Sequence, residues 1–259
     1  MSRSERTNST INKKIFNGVM TGLISTYAFH PFDKATYMMV KDNLSFLNKK
    51  NWKKPYQGVT QSLYGKTIGQ GIYFSLYDIN REKLGLRPTN AGILTGTIVA
   101  TSNNFVHVMK MYNWNDKSKA KNAFSLAKEV YTKYGFKMFH YGLGPTIARD
   151  ALFGGLYCGL GDKYNKDQLY YKDMIFACVA TLTTSPINYL RNRLYFDLDQ
   201  KVNYRDIGKE LFSAIGKIPS LSNRLTYLFH WKLNIGIGTL RVGLGMATSK
   251  KIYQFFENN

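Results

Sequence analysis

Acid is scarce in this chain. Sixteen Asp and Glu face 36 Lys and Arg, a formal net charge of +20. That balance suits an anionic partner, either nucleic acid or an anionic membrane surface. The basic residues are scattered, though, and the one dense run is Lys49-Lys50-Asn51-Trp52-Lys53-Lys54. No zinc-finger spacing, basic-zipper region or aromatic RNA-binding signature accompanies it. A basic nucleic-acid-binding protein is therefore the weaker alternative. Cysteine is nearly missing. Cys158 and Cys178 sit in apolar segments without metal spacing and read as reduced thiols packed as small hydrophobes. The four histidines (His30, His107, His140, His230) form no ligand pair, so no metal site is expected. A Gly-rich phosphate loop, a Ser/His/Asp arrangement and usefully spaced carboxylates are all lacking, so neither an enzyme nor a bound cofactor is expected. The start, Met1-Ser2-Arg3-Ser4-Glu5-Arg6, is polar and has no apolar core, so no secretory signal is expected. No strong transit peptide is expected either, because no amphipathic Arg-rich helix precedes Ile15. Hydrophobicity is also short. A mean hydropathy of −0.30 argues against a simple bundle of greasy spans, but not against helices that line a wet cavity.

What is present is a repeated pattern. Ile15 to Phe32 carries no Asp, Glu, Lys or Arg and ends in His30-Pro31-Phe32-Asp33. Proline removes a backbone donor and kinks a helix interior, so the stretch predicts a long apolar helix bent near one end, with a charge past the bend. Similar segments recur. Gly22 lies nine residues before Pro31, Gly96 nine before Phe105, and Ala177 nine before Pro186. Each is long enough to approach a bilayer span of about 20 residues. A polar connection and a shorter apolar piece follow each: Thr67 to Tyr77, Ala151 to Gly161, and Val242 to Ser249. The connections hold amphipathic stretches such as Asn122 to Tyr131 and Ile207 to Phe212, which suit short interfacial helices. Period-2 alternation is not sustained anywhere, which makes a strand-based reading the weak alternative. The expected architecture is all-α: six long helices in three pairs, with small helices between them.

One cation interrupts each second helix: Lys66, Arg149 and Arg241. They are expected near the middle of their helices. A charge at mid-membrane depth costs several kcal/mol unless it faces a wet cavity or a partner. Three at equivalent positions point to one shared cavity, rather than to three snorkelling side chains.

These residues resemble the mitochondrial carrier family. Its signature, Pro-x-Asp/Glu-x-x-Lys/Arg once in each of three repeats, is matched by Pro31-Phe32-Asp33-Lys34-Ala35-Thr36 and by Pro186-Ile187-Asn188-Tyr189-Leu190-Arg191, and degenerately by Phe105-Val106-His107-Val108-Met109-Lys110. Tyr56-Gln57-Gly58, Gly71 to Asp78 and Tyr141 to Asp150 are further matches. The resemblance runs from about Phe16 to Phe256. It implies a polar tail over 1–12, repeats over 13–86, 87–168 and 169–259, and six tilted transmembrane helices in three pseudo-symmetric pairs around one central site. It also implies kinks at Pro31 and Pro186.

By resemblance, an inner gate is closed by Asp33 with Lys110, His107 with Arg191, and Asn188 with Thr36. Only the first of these is a full ion pair, so a weak gate is expected. The outer gate is intact only as Tyr77-Asp78-Ile79-Asn80-Arg81. Asp162 has lost its following base, and the third copy, around Tyr253-Gln254, is unrecognisable. Asp78 and Asp162 are expected to face few bases. Substrate contacts fall on Gly65 with Lys66, on Arg149 with Asp150, and on Arg241. The sum of charge suits a small anion, since arginine grips carboxylate or phosphate in bidentate fashion. Nucleotides or deoxynucleotides are favoured by the positive excess and by nearby Tyr73 and Tyr157. An amino acid or acylcarnitine cargo is the alternative, because it suits the Arg149-Asp150 pair. The resemblance further implies a functional monomer that works by exchange, lies multi-pass in the mitochondrial inner membrane and contacts lipid, cardiolipin included. It implies no nucleic-acid partner. The richness in Asn, Lys, Ile and Tyr resembles proteins of AT-rich genomes, such as those of intracellular parasites or giant viruses.

Overall fold

In a computed structural model of the chain, the described residues are 3–42, 44–115, 118, 120, 122–196 and 203–258, with the side chains of 3–12, 66–72, 196 and 231 set aside. They are helical throughout. The long helices are α1 (Arg3–Asp42), α2 (Val59–Glu82), α3 (Pro88–Trp114), α6 (Leu143–Tyr164), α7 (Tyr170–Phe196) and α10 (Ile237–Asn258). Between them lie a 3₁₀ turn (Lys49–Trp52), α4 (Ala123–Tyr134), α5 (Lys137–His140), α8 (Tyr204–Gly216), α9 (Leu221–Thr226) and a π segment (Tyr227–Lys232). α1 packs on α2, α2 on α3, α3 on α6, α6 on α7, α7 on α10, and α10 back on α1. Six long helices thus close into an antiparallel ring. The short links α2–α3 and α6–α7 share one end with the termini, and the small helices gather at the other.

Local chemistry explains the boundaries. α3 begins on Pro88 after an extended Arg87, the position where a missing N–H costs nothing. α4 opens with a reciprocal cap. Ser125 N donates to Asn122 Oδ1 at 2.8 Å, and Asn122 N donates to Ser125 Oγ at 3.3 Å. Leu126 and Val130 of α4 and Ile207 of α8 are buried, while Phe124 and Phe212 are exposed. Both helices therefore lie as amphipathic pieces across the ring's end. α6 is preceded by Gly142 at φ +66°, where a Cβ would meet the Tyr195 ring. The helix starts therefore differ from those read from apolar runs. Arg149 is the seventh residue of α6 and Arg241 the fifth of α10. Both lie in the first two turns, not mid-helix. At the N-terminus, helix begins at Arg3, inside the stretch read as a polar tail.

Polarity is distributed inside out. Thr21, Ser25, Thr26, His30, Asn103, Asn104, Thr184 and Ser185 are buried, whereas Ile24, Tyr27, Ile98, Leu152, Ile175 and Val179 face outward. Among the described residues no helix is long and apolar enough to cross a membrane by hydropathy. The polar face that lines the ring is what lowers those values. Several of its hydroxyls are satisfied on their own helix. Thr181 Oγ1 donates to Ala177 O at 2.7 Å, Thr184 to Ala180 O at 2.8 Å, and Ser185 to Thr181 O at 2.7 Å. Asn104 ties three parts together. Its Nδ2 donates to Phe139 O and Tyr141 O, and its Oδ1 accepts from Tyr195 O–H at 2.8 Å.

α3 and α6 approach by backbone. A Cβ at Gly96 would run into the Asp150 carbonyl, and one at Gly92 into Gly154. Gly96 therefore sets the seat of the turn that carries Arg149 and Asp150. We predict that Gly96→Leu lowers stability by about 1–3 kcal/mol or more, read as a fall in Tm of the purified chain. An unchanged Tm would contradict this packing.

Candidate functional site

Helical spacing assembles the site. Phe29 and Asp33 are one turn apart on α1, so they share a face. Opposite them stands Arg241 of α10. Its Nη2 donates to Asp33 Oδ2 at 2.6 Å, Nε lies 2.5 Å from Oδ1, and Cζ sits 5.2 Å from the Phe29 ring centre. A second copy of this arrangement lies within α6. Arg149 Nη1 is 2.5 Å from Asp150 Oδ1, and Arg149 Cζ is 5.1 Å from the Phe153 ring. Each guanidinium thus rests between a carboxylate and a phenyl face, where charge pairing and cation–π attraction act together.

Both arginines line a cavity of about 290 Å³ inside the ring. Asp33, Thr36, His107, Lys110, Asn188 and Arg191, the six residues read as an inner gate, line it too. A neighbouring cavity of about 180 Å³ is lined by Gly65, Arg149, Asp150, His107 and Lys110. Four cations and two carboxylates border the two cavities, an excess of two positive charges with histidine neutral. The side chain of Lys66 lies outside the described residues.

Further contacts surround these six residues. Asp33 is gripped by Arg241, whose planar fork spans the gap from α10. Asn188 accepts from Arg191 Nη2 at 2.6 Å, three residues along the same helix. Thr36 donates to Phe32 O on its own helix at 2.6 Å. Lys110 lies 4.7 Å from the Trp114 ring centre, one turn on. Local i,i+3 and i,i+4 geometry therefore supplies these contacts of Asn188, Thr36 and Lys110. Pro31 lies inside α1 and Pro186 inside α7.

The outer end also departs from expectation. Asp78 meets Lys14 at 3.1 Å, and Asp162 meets Arg81 at 3.6 Å. The expectation that these acids face few bases is corrected, because Lys14 comes from α1, outside any motif. Lys250 of α10 reaches Asp173 of α7 at 2.8 Å, and Asn165 Nδ2 donates to the same oxygen at 2.8 Å. Asp173 is 2% exposed, while Asp78 is 30% exposed. Gln168 of the α6–α7 link touches Gln254, beside the third gate position that sequence could not recognise. At the inner end, buried Lys34 donates to Lys53 O, Lys54 O and Gln57 Oε1 at 2.8–2.9 Å. The basic run is thereby folded back onto α1. Motif reading overlooked Lys14, Lys34, Asp173 and Lys250.

Comparison with known proteins follows from this geometry. A family model described as mitochondrial carrier protein matches residues 85–172, which run from the α2–α3 link into the first turn of α7. A mitochondrial glycine transporter of Vanderwaltozyma polyspora is 20% identical, over 86% of this chain and 92% of that protein. A mitochondrial glycine transporter of Yarrowia lipolytica is 22% identical, over 68% of this chain and 65% of that protein.

The outer contacts are graded by burial, and so are the expected effects. Lys250→Ala strands the buried Asp173 carboxylate and costs about 3 kcal/mol. Lys14→Ala, at a more exposed pair, costs about 0.5 kcal/mol. Chemical unfolding of both variants measures the order, and equal losses would contradict it.

Proposed function

We propose that the chain belongs to the mitochondrial carrier family and that its cargo is a small amino acid held between Arg149, Asp150 and Arg241. As a carrier it is a solute transporter of a mitochondrial membrane. The observation that carries the finer reading is the Arg149–Asp150 pair facing the cavity. A zwitterion presents a carboxylate to a guanidinium and an ammonium to a carboxylate, and here both groups stand side by side. Cavity size supports the same reading. About 290 Å³ lies at the lower edge of the 300–1,000 Å³ typical of sites for drug-sized ligands. The names of the two relatives agree with it.

A nucleotide cargo retains one supporting observation, the excess of two positive charges. Against it, both arginines already face carboxylates. Tyr157 is stacked on Phe153 with centroids 5.9 Å apart, and Tyr73 O–H lies 3.5 Å from Cys158 Sγ. The buried Tyr157 ring is already taken by Phe153, whereas Tyr73 lines the small cavity.

The working model is alternating access by a monomer in the inner membrane, by exchange. Asp78, Arg81 and Asp162 tie the outer end. The six cavity residues from Asp33 to Arg191 form the inner closure, with Pro31 and Pro186 as the bends. Lys49 and Lys50 meet anionic lipid headgroups, such as those of cardiolipin. Gly65 lines the small cavity without a side chain, and leaves room for the cargo.

The test is counter-exchange in liposomes with a panel of amino acids, nucleotides and carboxylates. Glycine or another small amino acid should exchange. Arg149→Ala should lower that uptake roughly 10- to 100-fold, the loss of one charge-assisted contact. Exchange of nucleotides alone would overturn the reading.

A further inference from the structure

We propose that the small cavity is a pocket for the cargo's side chain, and that Gln61 and Asn103 make it select a short side chain bearing a hydroxyl. This rests on the amino acid reading above and narrows the cargo to a serine-like class.

Two buried amides carry the inference. Gln61 of α2 and Asn103 of α3 are each 4% exposed, and both line the cavity of about 180 Å³. Gln61 Oε1 and Asn103 Oδ1 are buried and have no hydrogen-bond partner among the described residues. A buried carbonyl oxygen without a donor is costly. Asn104, the next residue along, shows the contrast. It is buried too, but both ends of its amide are bonded, to Phe139 O and Tyr141 O and from Tyr195 O–H. Helix packing therefore accounts for Asn104, and it leaves the polarity of Gln61 and Asn103 without a use. A solute in the cavity supplies that use.

The cavity lies where a side chain falls. Arg149 and Asp150 line it as well. With the cargo's carboxylate on Arg149 and its ammonium on Asp150, Cα stands at the cavity wall and its side chain extends into the remaining space. Gly65, Val99, Val106, Phe153 and Met246 make much of that space apolar. Lys110 and Arg149 border it and disfavour a cationic side chain. An alkyl side chain leaves both amides unpaired. A hydroxyl is donor and acceptor at once. The last torsion of Asn and Gln is soft, so a hydroxyl serves whichever end of the amide turns toward it. A site that pairs with a hydroxyl rejects the analogue lacking it, because its own buried polar groups are then left unmet.

The test is counter-exchange in liposomes by the full chain, with serine and α-aminobutyrate as probes. The two match in size and differ by a hydroxyl for a methyl. Serine should exchange roughly 10-fold more efficiently, as maximal rate over KM. Asn103→Leu and Gln61→Met replace each amide by an apolar group of similar shape. Each should raise exchange of α-aminobutyrate and lower that of serine, so that the preference shrinks or reverses. Loss of a merely structural side chain would instead lower both probes together. Equal exchange of the two probes by the unmodified chain, the result if ordered water serves both amides, overturns the inference, and this ratio decides even if neither variant folds. A serine preference that both variants keep also overturns it. Exchange of nucleotides with no amino acid overturns the cargo reading on which it rests.

Discussion

Two guanidinium–carboxylate pairs are the constraint on which this structure depends. Arg149 and Arg241 lie within the first two turns of α6 and α10, the end of a helix where a cation is disfavoured. They also lie inside a ring whose outer face is apolar. Left unpaired there, each would carry a desolvation cost that no nearby packing offsets. Asp150 and Asp33 remove that cost, and Phe153 and Phe29 shield the flat faces. The ring geometry follows from the need to keep these partners in register. Gly96 lets α3 press against the Asp150 turn, Asn104 and Tyr195 lock α3 to α7, and Lys34 fastens the first connection onto α1.

Much of the fold was legible because it rests on periodic features. The six long helices, the amphipathic α4 and α8, and the two internal prolines follow from charge-free runs and proline placement. The three cations Lys66, Arg149 and Arg241 stood out because each broke an apolar stretch. Helix starts were less legible. Gly142 in a left-handed turn and Gly236 at φ +109° place α6 and α10 differently from their apolar runs, and so move the cations from mid-helix to the opening turns.

Side-chain pairing was the least legible level. A motif says which residues face the axis, but not which of them touch. Asn188 finds Arg191 because they are three residues apart on one helix. Asp33 finds Arg241 because an arginine fork spans a gap between α1 and α10 that spacing along the chain cannot measure. The outer end shows the same limit. Lys14, Asp173 and Lys250 belong to no motif, and only the closure of the ring brings them to Asp78, Asn165 and each other. The charge sum that favoured a nucleotide cargo meets a related limit. A sum of charges counts Arg149 and Arg241 as available, whereas in the folded chain each has a carboxylate against it.

The most direct test is an experimental structure of the full chain with a small amino acid bound. The account predicts the solute in the ring cavity, with its carboxylate on Arg149 or Arg241 and its ammonium within hydrogen-bond distance of Asp150. A solute seated instead in the outer cavity beside Tyr77 and Cys158, with both arginine–carboxylate pairs undisturbed, would contradict it.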